Sequence, residues 1–197
     1  CSGLTTYSAI RKINPQVLNE EKVVLFGAGG LGLMAIALIK ALGGAGVLVI
    51  DPDEAKHAAA LKAGAEAVFS PKTDGLVGKL KQAAGGAVWA VIDCVGSGQT
   101  VQTGMDLLTK GGQLVQVGLF GGHIDISTPF VPLKAMTYQG TYVGNLRELQ
   151  ELVALVKEKN LPPMQTTCMP FSKAFTALLA LEQGTAIGRQ VLTPSEA

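Results

Sequence analysis

The 197-residue sequence predicts an α/β fold built on a doubly wound, parallel, six-stranded sheet. Three observations predict it. Short runs rich in β-branched residues are apolar throughout rather than at alternate positions, the pattern of strands covered on both faces. Helical stretches of about 10 to 15 residues separate these runs, which is the length that a parallel crossover needs. A glycine-rich turn, GAGGLG at 27–32, joins the first apolar run directly to the first long helical stretch.

The elements follow in order. The opening CSGLTTYSAI reads as helical. KVVLF (22–26) is the first strand, and LGLMAIALIKAL (31–42) is a helix apolar on nearly all sides, as a helix buried between layers must be. VLVID (47–51) is the second strand, and DEAKHAAALKAG (53–64) is an alanine-rich helix stopped by Gly64. EAVFS (66–70) is a third strand, followed by a weaker helix over 73–84. AVWAVIDC (87–94) is the fourth strand, Ser97 caps a helix running to about Leu108, GQLVQVG (112–118) is the fifth strand and MTYQGTYVG (136–144) the sixth. The intervening residues 119–135, apolar and proline-containing, read as a loop. Asn145 with Glu148 makes a capping box for a helix over 146–159, which LPP at 161–163 ends. Residues 162–170 read as extended, Ser172 as the cap of a helix KAFTALLALEQ closed by Gly184, RQVL (189–192) as a short strand and TPSEA as a disordered tail.

Composition narrows the partners. A hydrophobic share of 48% against 16% charged marks a globular chain, long enough for one buried domain and a fragment of a second. With a net charge of +1 and no cluster of either sign, the sequence lacks the footprint of a nucleic-acid or anionic-membrane binder, so a small molecule is the expected partner. Residues 23–50 carry a single charge, Lys40, but the glycines at 27–30 and 43–46 break them into pieces too short to span a bilayer. Cys1, Cys94 and Cys168 are odd in number and far apart, which fits a reducing compartment, the cytoplasm, better than a disulfide framework.

The glycine turn carries the chemistry. Gly27, Gly29 and Gly32 have the G-x-G-x-x-G spacing: a sharp exit from the strand, a backbone that a diphosphate can approach, and close packing of helix on strand. The amides of Gly30 and Leu31 then open the helix with their partial positive charge toward the anion. Asp51 closes the second strand about twenty residues beyond the last glycine, where a carboxylate accepts both ribose hydroxyls and repels an added 2′-phosphate. NAD is therefore expected over NADP. Pro52 adjoins this carboxylate, and Lys56 reaches either the same ribose or solvent. A methyltransferase binding S-adenosylmethionine shares the glycine turn and acidic partner, but its ligand has no diphosphate to cradle.

Taken in series, GAGGLG after VVLF, VID closing the second strand, IDCVGS, GGQLVQVG, TYQGTYVGN and GRQVL resemble the cofactor-binding half of the zinc-dependent medium-chain alcohol dehydrogenases over essentially the whole chain. The resemblance implies a Rossmann domain over 15–160, with a junction segment (1–14) and a returning segment (161–197) that belong to a GroES-like catalytic domain. It implies NAD as cofactor, zinc in the full-length protein with Cys1 as one ligand, and interconversion of an alcohol with an aldehyde or ketone. One cysteine cannot hold the metal alone, so these residues are expected to bind NAD weakly and to be inactive by themselves.

Position by position, the resemblance places Thr5 at the nicotinamide and Cys94, Val95 and Gly96 at a turn under the adenosine ribose and nicotinamide. It places Val117, Gly118 and Leu119, with Thr141, Tyr142 and Val143, at the carboxamide. Arg189 matches an arginine that reaches the diphosphate. It also implies a homodimer or homotetramer formed through the sheet edge. Cys94 and Cys168 otherwise read as small core residues, and His57 and His123 as structural or solvated, since neither histidine has ligand spacing to a second donor. Two other functions share these features: a zinc-free quinone or enoyl reductase of the same superfamily, and a nucleotide-binding assembly module without catalysis.

Overall fold

The computed structural model describes residues 1–194. Six parallel strands form one sheet: β1 (Val23–Phe26), β2 (Val47–Ile50), β3 (Ala67–Phe69), β4 (Val88–Asp93), β5 (Leu108–Gln116) and β6 (Thr137–Gly140). Their order is β3-β2-β1-β4-β5-β6, so the winding reverses between β1 and β4. A crevice opens at such a reversal, beyond the carboxyl ends of the two strands.

Strand residues alternate between two cores. Val23 and Leu25 face one layer, with α1 (Ser2–Arg11), α3 (Gly30–Ala41) and Leu152 of α8 (Leu146–Glu158). Val24 and Phe26 face the other, with Leu80 of α5 (Leu76–Ala84) and Val101, Met105 and Leu107 of α6 (Gly98–Leu107). Because both faces are covered, all four residues of β1 and of β2 are buried, which is why those runs are apolar without alternation. The opening helix α1 packs on α3 and α8 rather than standing off the sheet; its Ala9 and Ile10 are fully enclosed.

Several boundaries differ from the sequence expectation. A six-residue helix α2 (Pro15–Glu20), capped by the Asn14 side chain on the Gln16 N–H, precedes β1. The fifth strand starts at Leu108, four residues early, and pairs with β4 through a register shift in which residues 109–112 stand opposite Trp89 alone. Within the expected loop at 119–135 lies α7 (Phe130–Lys134). Its Lys134 Nζ donates to the carbonyls of Met105 (2.8 Å) and Leu108 (2.9 Å), an ammonium satisfying the end of α6. Burial pushes the Lys134 pKa down, and only partly does Asp106 raise it again.

Ser172 does not cap the last helix. It sits in a 3₁₀ turn, Phe171–Lys173, and α9 (Ala174–Glu182) has Lys173 at its N-cap with no side-chain cap. The capping box of Asn145 and Glu148 forms as the sequence requires. Beyond α8, β7 (Thr166–Pro170) and β8 (Arg189–Thr193) make a separate parallel pair. Of the TPSEA tail, Thr193 closes β8, and the last three residues lie outside the described ones. No described helix is long and apolar enough to cross a membrane.

Candidate functional site

The crevice is built from strand ends. Where β1 stops, Gly27 adopts φ +93°, a conformation that side chains rarely tolerate, and the chain turns into α3. Gly32 lies so close beneath this turn that a Cβ on it would stand 1.9 Å from the Gly27 carbonyl oxygen. Gly29 differs: a Cβ there would meet no heavy atom within 4 Å. The small residue at 29 thus borders open space, directly at the N-cap of a helix that has no side-chain cap. The amides of Gly30 and Leu31 open α3 beside that space, unsatisfied in the way helix starts are.

Arg189 arrives from β8 over the same spot. A Cβ on Gly30 would lie 2.9 Å from Arg189 Cδ and 3.3 Å from its Nη1, so the cation is carried to the helix start.

Asp51 follows β2 and is 5% exposed. Its Oδ2 accepts the Ala28 N–H at 2.6 Å and its Oδ1 accepts the Asp53 N–H at 2.8 Å. The glycine turn and the β2 exit are thereby tied by one carboxylate. Each oxygen keeps a second lone pair for a further donor. Lys56, on α4 (Glu54–Ala63), pairs with Asp53 at 3.4 Å and not with Asp51. Pro52 is exposed beside it.

A second acidic strand end was not singled out from the sequence. Asp93, wholly buried at the end of β4, accepts the N–H groups of Val95 (2.8 Å) and Gly96 (2.9 Å) on Oδ1 and the Thr100 hydroxyl (2.7 Å) on Oδ2. Its carbonyl accepts Val117 and Gly118 N–H as well. The loops after β4 and β5 are therefore locked backbone to backbone: a Cβ on Gly96, at φ +71°, would stand 1.9 Å from the Gly118 oxygen. The signal was present in IDC, which repeats the IDP of the second strand. An aspartate closing an apolar strand is buried with it and must find donors.

Cys94 and Val95 face the first glycine, with Val95 Cγ2 3.2 Å from where a Gly27 Cβ would be. On the far side of the crevice, the Thr141 N–H donates to Gln116, and its hydroxyl meets Ser8 of α1 at 3.3 Å. The helix that carries Thr5 is thereby joined to the segment that carries Thr141, Tyr142 and Val143. Thr5 itself is buried, whereas Leu119 and Tyr142 are among the most exposed apolar side chains. Val143 takes φ +56°, a strained conformation for a β-branched residue. Next to these loops, Ser97, Gln116, His123 and Tyr138 help to line an open cleft of about 240 Å³, in which the Tyr138 hydroxyl meets Gln116 Oε1.

Cys1 is exposed at the start of α1. Among the described residues, no group of three or more His, Cys, Asp or Glu side chains could hold a metal ion. One thiol supplies one of the four ligands that zinc takes, so these residues do not make a zinc site by themselves. All three cysteines are free.

Comparisons with known proteins identify the family and match the fold. Residues 30–158 match the family described as zinc-binding dehydrogenase. An NAD-dependent alcohol dehydrogenase of Sulfurisphaera tokodaii is 36% identical over 98% of this chain and 56% of its own length. The crystal structure of the alcohol dehydrogenase of Aeropyrum pernix superposes with a TM-score of 0.88 at 31% identity, over 98% of this chain and 56% of that one. Acetophenone reductase of Geotrichum candidum, solved in complex with NAD, gives 0.81 at 26% identity, over 98% and 53%. The chain thus spans about half the length of the relatives it matches.

The half-buried Cys94 thiol gives a direct check on the crevice. Burial first, and the Asp93 carboxylate second, push the Cys94 pKa up to about 12 from 9.0, which keeps the thiol protonated near pH 8. Iodoacetamide at about that pH should alkylate Cys1 and Cys168 in the native chain and spare Cys94 until denaturant is added. Because the unfolded thiol ionises first, the Cys94 contribution to stability is present below 9.0 and is lost as pH rises toward about 12. Rapid native alkylation of Cys94, read by peptide mass mapping, contradicts this.

Proposed function

The chain belongs to the zinc-binding dehydrogenase family, and from that premise we propose that it is the NAD-binding part of an oxidoreductase that interconverts an alcohol and an aldehyde or ketone. One observation carries the proposal. The open ground beside Gly29, the Arg189 cation over Gly30 and the buried Asp51 carboxylate surround one end of the sheet, and together they fit a diphosphate followed by a ribose.

Bound NAD(H) supplies the hydride acceptor or donor. The chain's own residues do the holding. The amides of Gly30 and Leu31 and the Arg189 guanidinium neutralise the diphosphate. Asp51, already aimed by two backbone amides, uses its remaining lone pairs for the ribose hydroxyls and presents its charge against a 2′-phosphate. Lys56, held by Asp53, lies on the same rim. Cys94, Val95 and Gly96 form the floor between the two halves of the dinucleotide. The backbone of Val117, Gly118 and Leu119, with Thr141, Tyr142 and Val143, takes the carboxamide end, and Thr5 borders it from α1. As part of the same proposal, Cys1 is one zinc ligand, completed by donors from outside these residues, and the setting is cytoplasmic, in keeping with three free thiols.

We further propose that the sheet edge pairs with a second copy. All four residues of β6 are exposed, and Leu119, Phe120, Leu133 and Tyr138 place apolar surface beside that open edge. Sedimentation should show a dimer or tetramer at micromolar concentration. A strict monomer at high concentration would remove the pairing.

Calorimetric titration with NADH and NADPH tests the cofactor. NADH should bind the more tightly, and Asp51→Ser should narrow the preference by about 1–3 kcal/mol. Gly29→Ala should leave the melting temperature within a few degrees, because the added methyl meets no atom, while weakening NADH by at least about tenfold through loss of the diphosphate approach. Unchanged discrimination in the first variant, or unchanged affinity in the second, contradicts the assignment.

A further inference from the structure

His57 is more than a solvated residue of an alanine-rich helix. Its Nε2 lies 2.8 Å from the backbone oxygen of Asp51. A carbonyl oxygen can only accept, so Nε2 carries the proton and donates. The bond spans the exit of β2: it ties the second turn of α4 back to the residue whose carboxylate faces the glycine turn.

The consequence runs through one torsion. Rotation about the Asp51 Cα–C bond would swing Pro52 and, after it, the Asp53 N–H that holds Asp51 Oδ1. With its carbonyl pinned by the imidazole, that bond cannot turn freely, and Asp53 stays placed. Its N–H on Oδ1 and the Ala28 N–H on Oδ2 then fix the plane of the carboxylate. Asp53 is itself anchored as the N-cap of α4, accepting from Ala55, and by its pair with Lys56. Each end of the short turn from Asp51 to His57 thus holds the other.

We propose that His57 is a positioning residue for the adenosine ribose, acting through Asp51 rather than by touching the ligand. The proposal rests on the nucleotide-binding assignment made above and deepens it, by naming what keeps the selective carboxylate aimed before ligand arrives.

The test is a mutant cycle on the 197-residue chain, with ADP-ribose as the probe because it carries the adenosine ribose and the diphosphate but no nicotinamide. His57→Phe keeps a ring of similar size without a donor and should weaken ADP-ribose about three- to tenfold, the worth of one neutral hydrogen bond. His57→Gln restores an N–H and should stay within about twofold of the wild type. In an Asp51→Asn background, His57→Phe should cost nothing further, since the two changes act on one contact. Melting temperatures are recorded throughout, and His57→Leu replaces the Phe variant if the latter does not fold. Unchanged affinity in His57→Phe, no rescue by Gln, or losses that add to that of Asp51→Asn would overturn the role of His57. Failure of the wild-type chain to bind ADP-ribose would instead bring down the nucleotide site itself.

Discussion

The site depends on a carboxylate that closes a strand. Asp51 leaves β2 buried, and its 2.6 Å bond to the Ala28 N–H joins the end of the second strand to the turn that follows the first. Beside it, the Gly27 N–H donates to the Ile50 carbonyl at 2.9 Å, so backbone and side chain join the two strand ends together. With both bonds in place, the spacing between the start of α3 at Gly29–Leu31 and the Asp51 carboxylate, the proposed diphosphate and ribose positions, is a property of the sheet. Asp93 performs the equivalent task one strand over, holding Val95 and Gly96 with its side chain and Val117 and Gly118 with its carbonyl. Four strand ends are thus tied pairwise by two aspartates that the apolar strands drag out of water.

This arrangement explains why glycines at one motif have opposite duties. Gly32 and Gly96 are small because protein backbone fills the space that a side chain would take. Gly29 is small where protein fills nothing. Gly78 and Gly140 have the same open surroundings, so it is the place of Gly29, between the end of β1 and the start of α3 and next to the Arg189 side chain over Gly30, that suits it to the proposed diphosphate.

Much of the fold was legible because local pattern and tertiary burial agree. The uniformly apolar VVLF and VLVI are strands covered on both faces, and the capping box at Asn145 starts α8 where the sequence places it. The features that escaped are those decided by contacts distant in sequence. Residues 130–134 become helical with Lys134 reaching the open carbonyls of α6, some twenty-six to twenty-nine positions earlier. Ser172 has the right residue type for a cap, yet it falls inside a 3₁₀ turn that tightens the entry to α9. At the site, Gly27, Gly29, Gly32 and Asp51 could be read from spacing, and Arg189 only through resemblance, because nothing near it in sequence points to a helix start some 160 residues away. Asp93 was marked only as an aspartate closing an apolar strand, and His57 carried no spacing signal at all; apart from the Thr100 hydroxyl on Asp93, their partners are backbone groups, which every sequence possesses.

A crystal of the chain soaked with NADH tests the central claim most directly. The diphosphate should lie against Gly29, Gly30 and Leu31 beneath Arg189, with the adenosine ribose on Asp51. Density for the dinucleotide elsewhere, with that crevice left vacant, would contradict it.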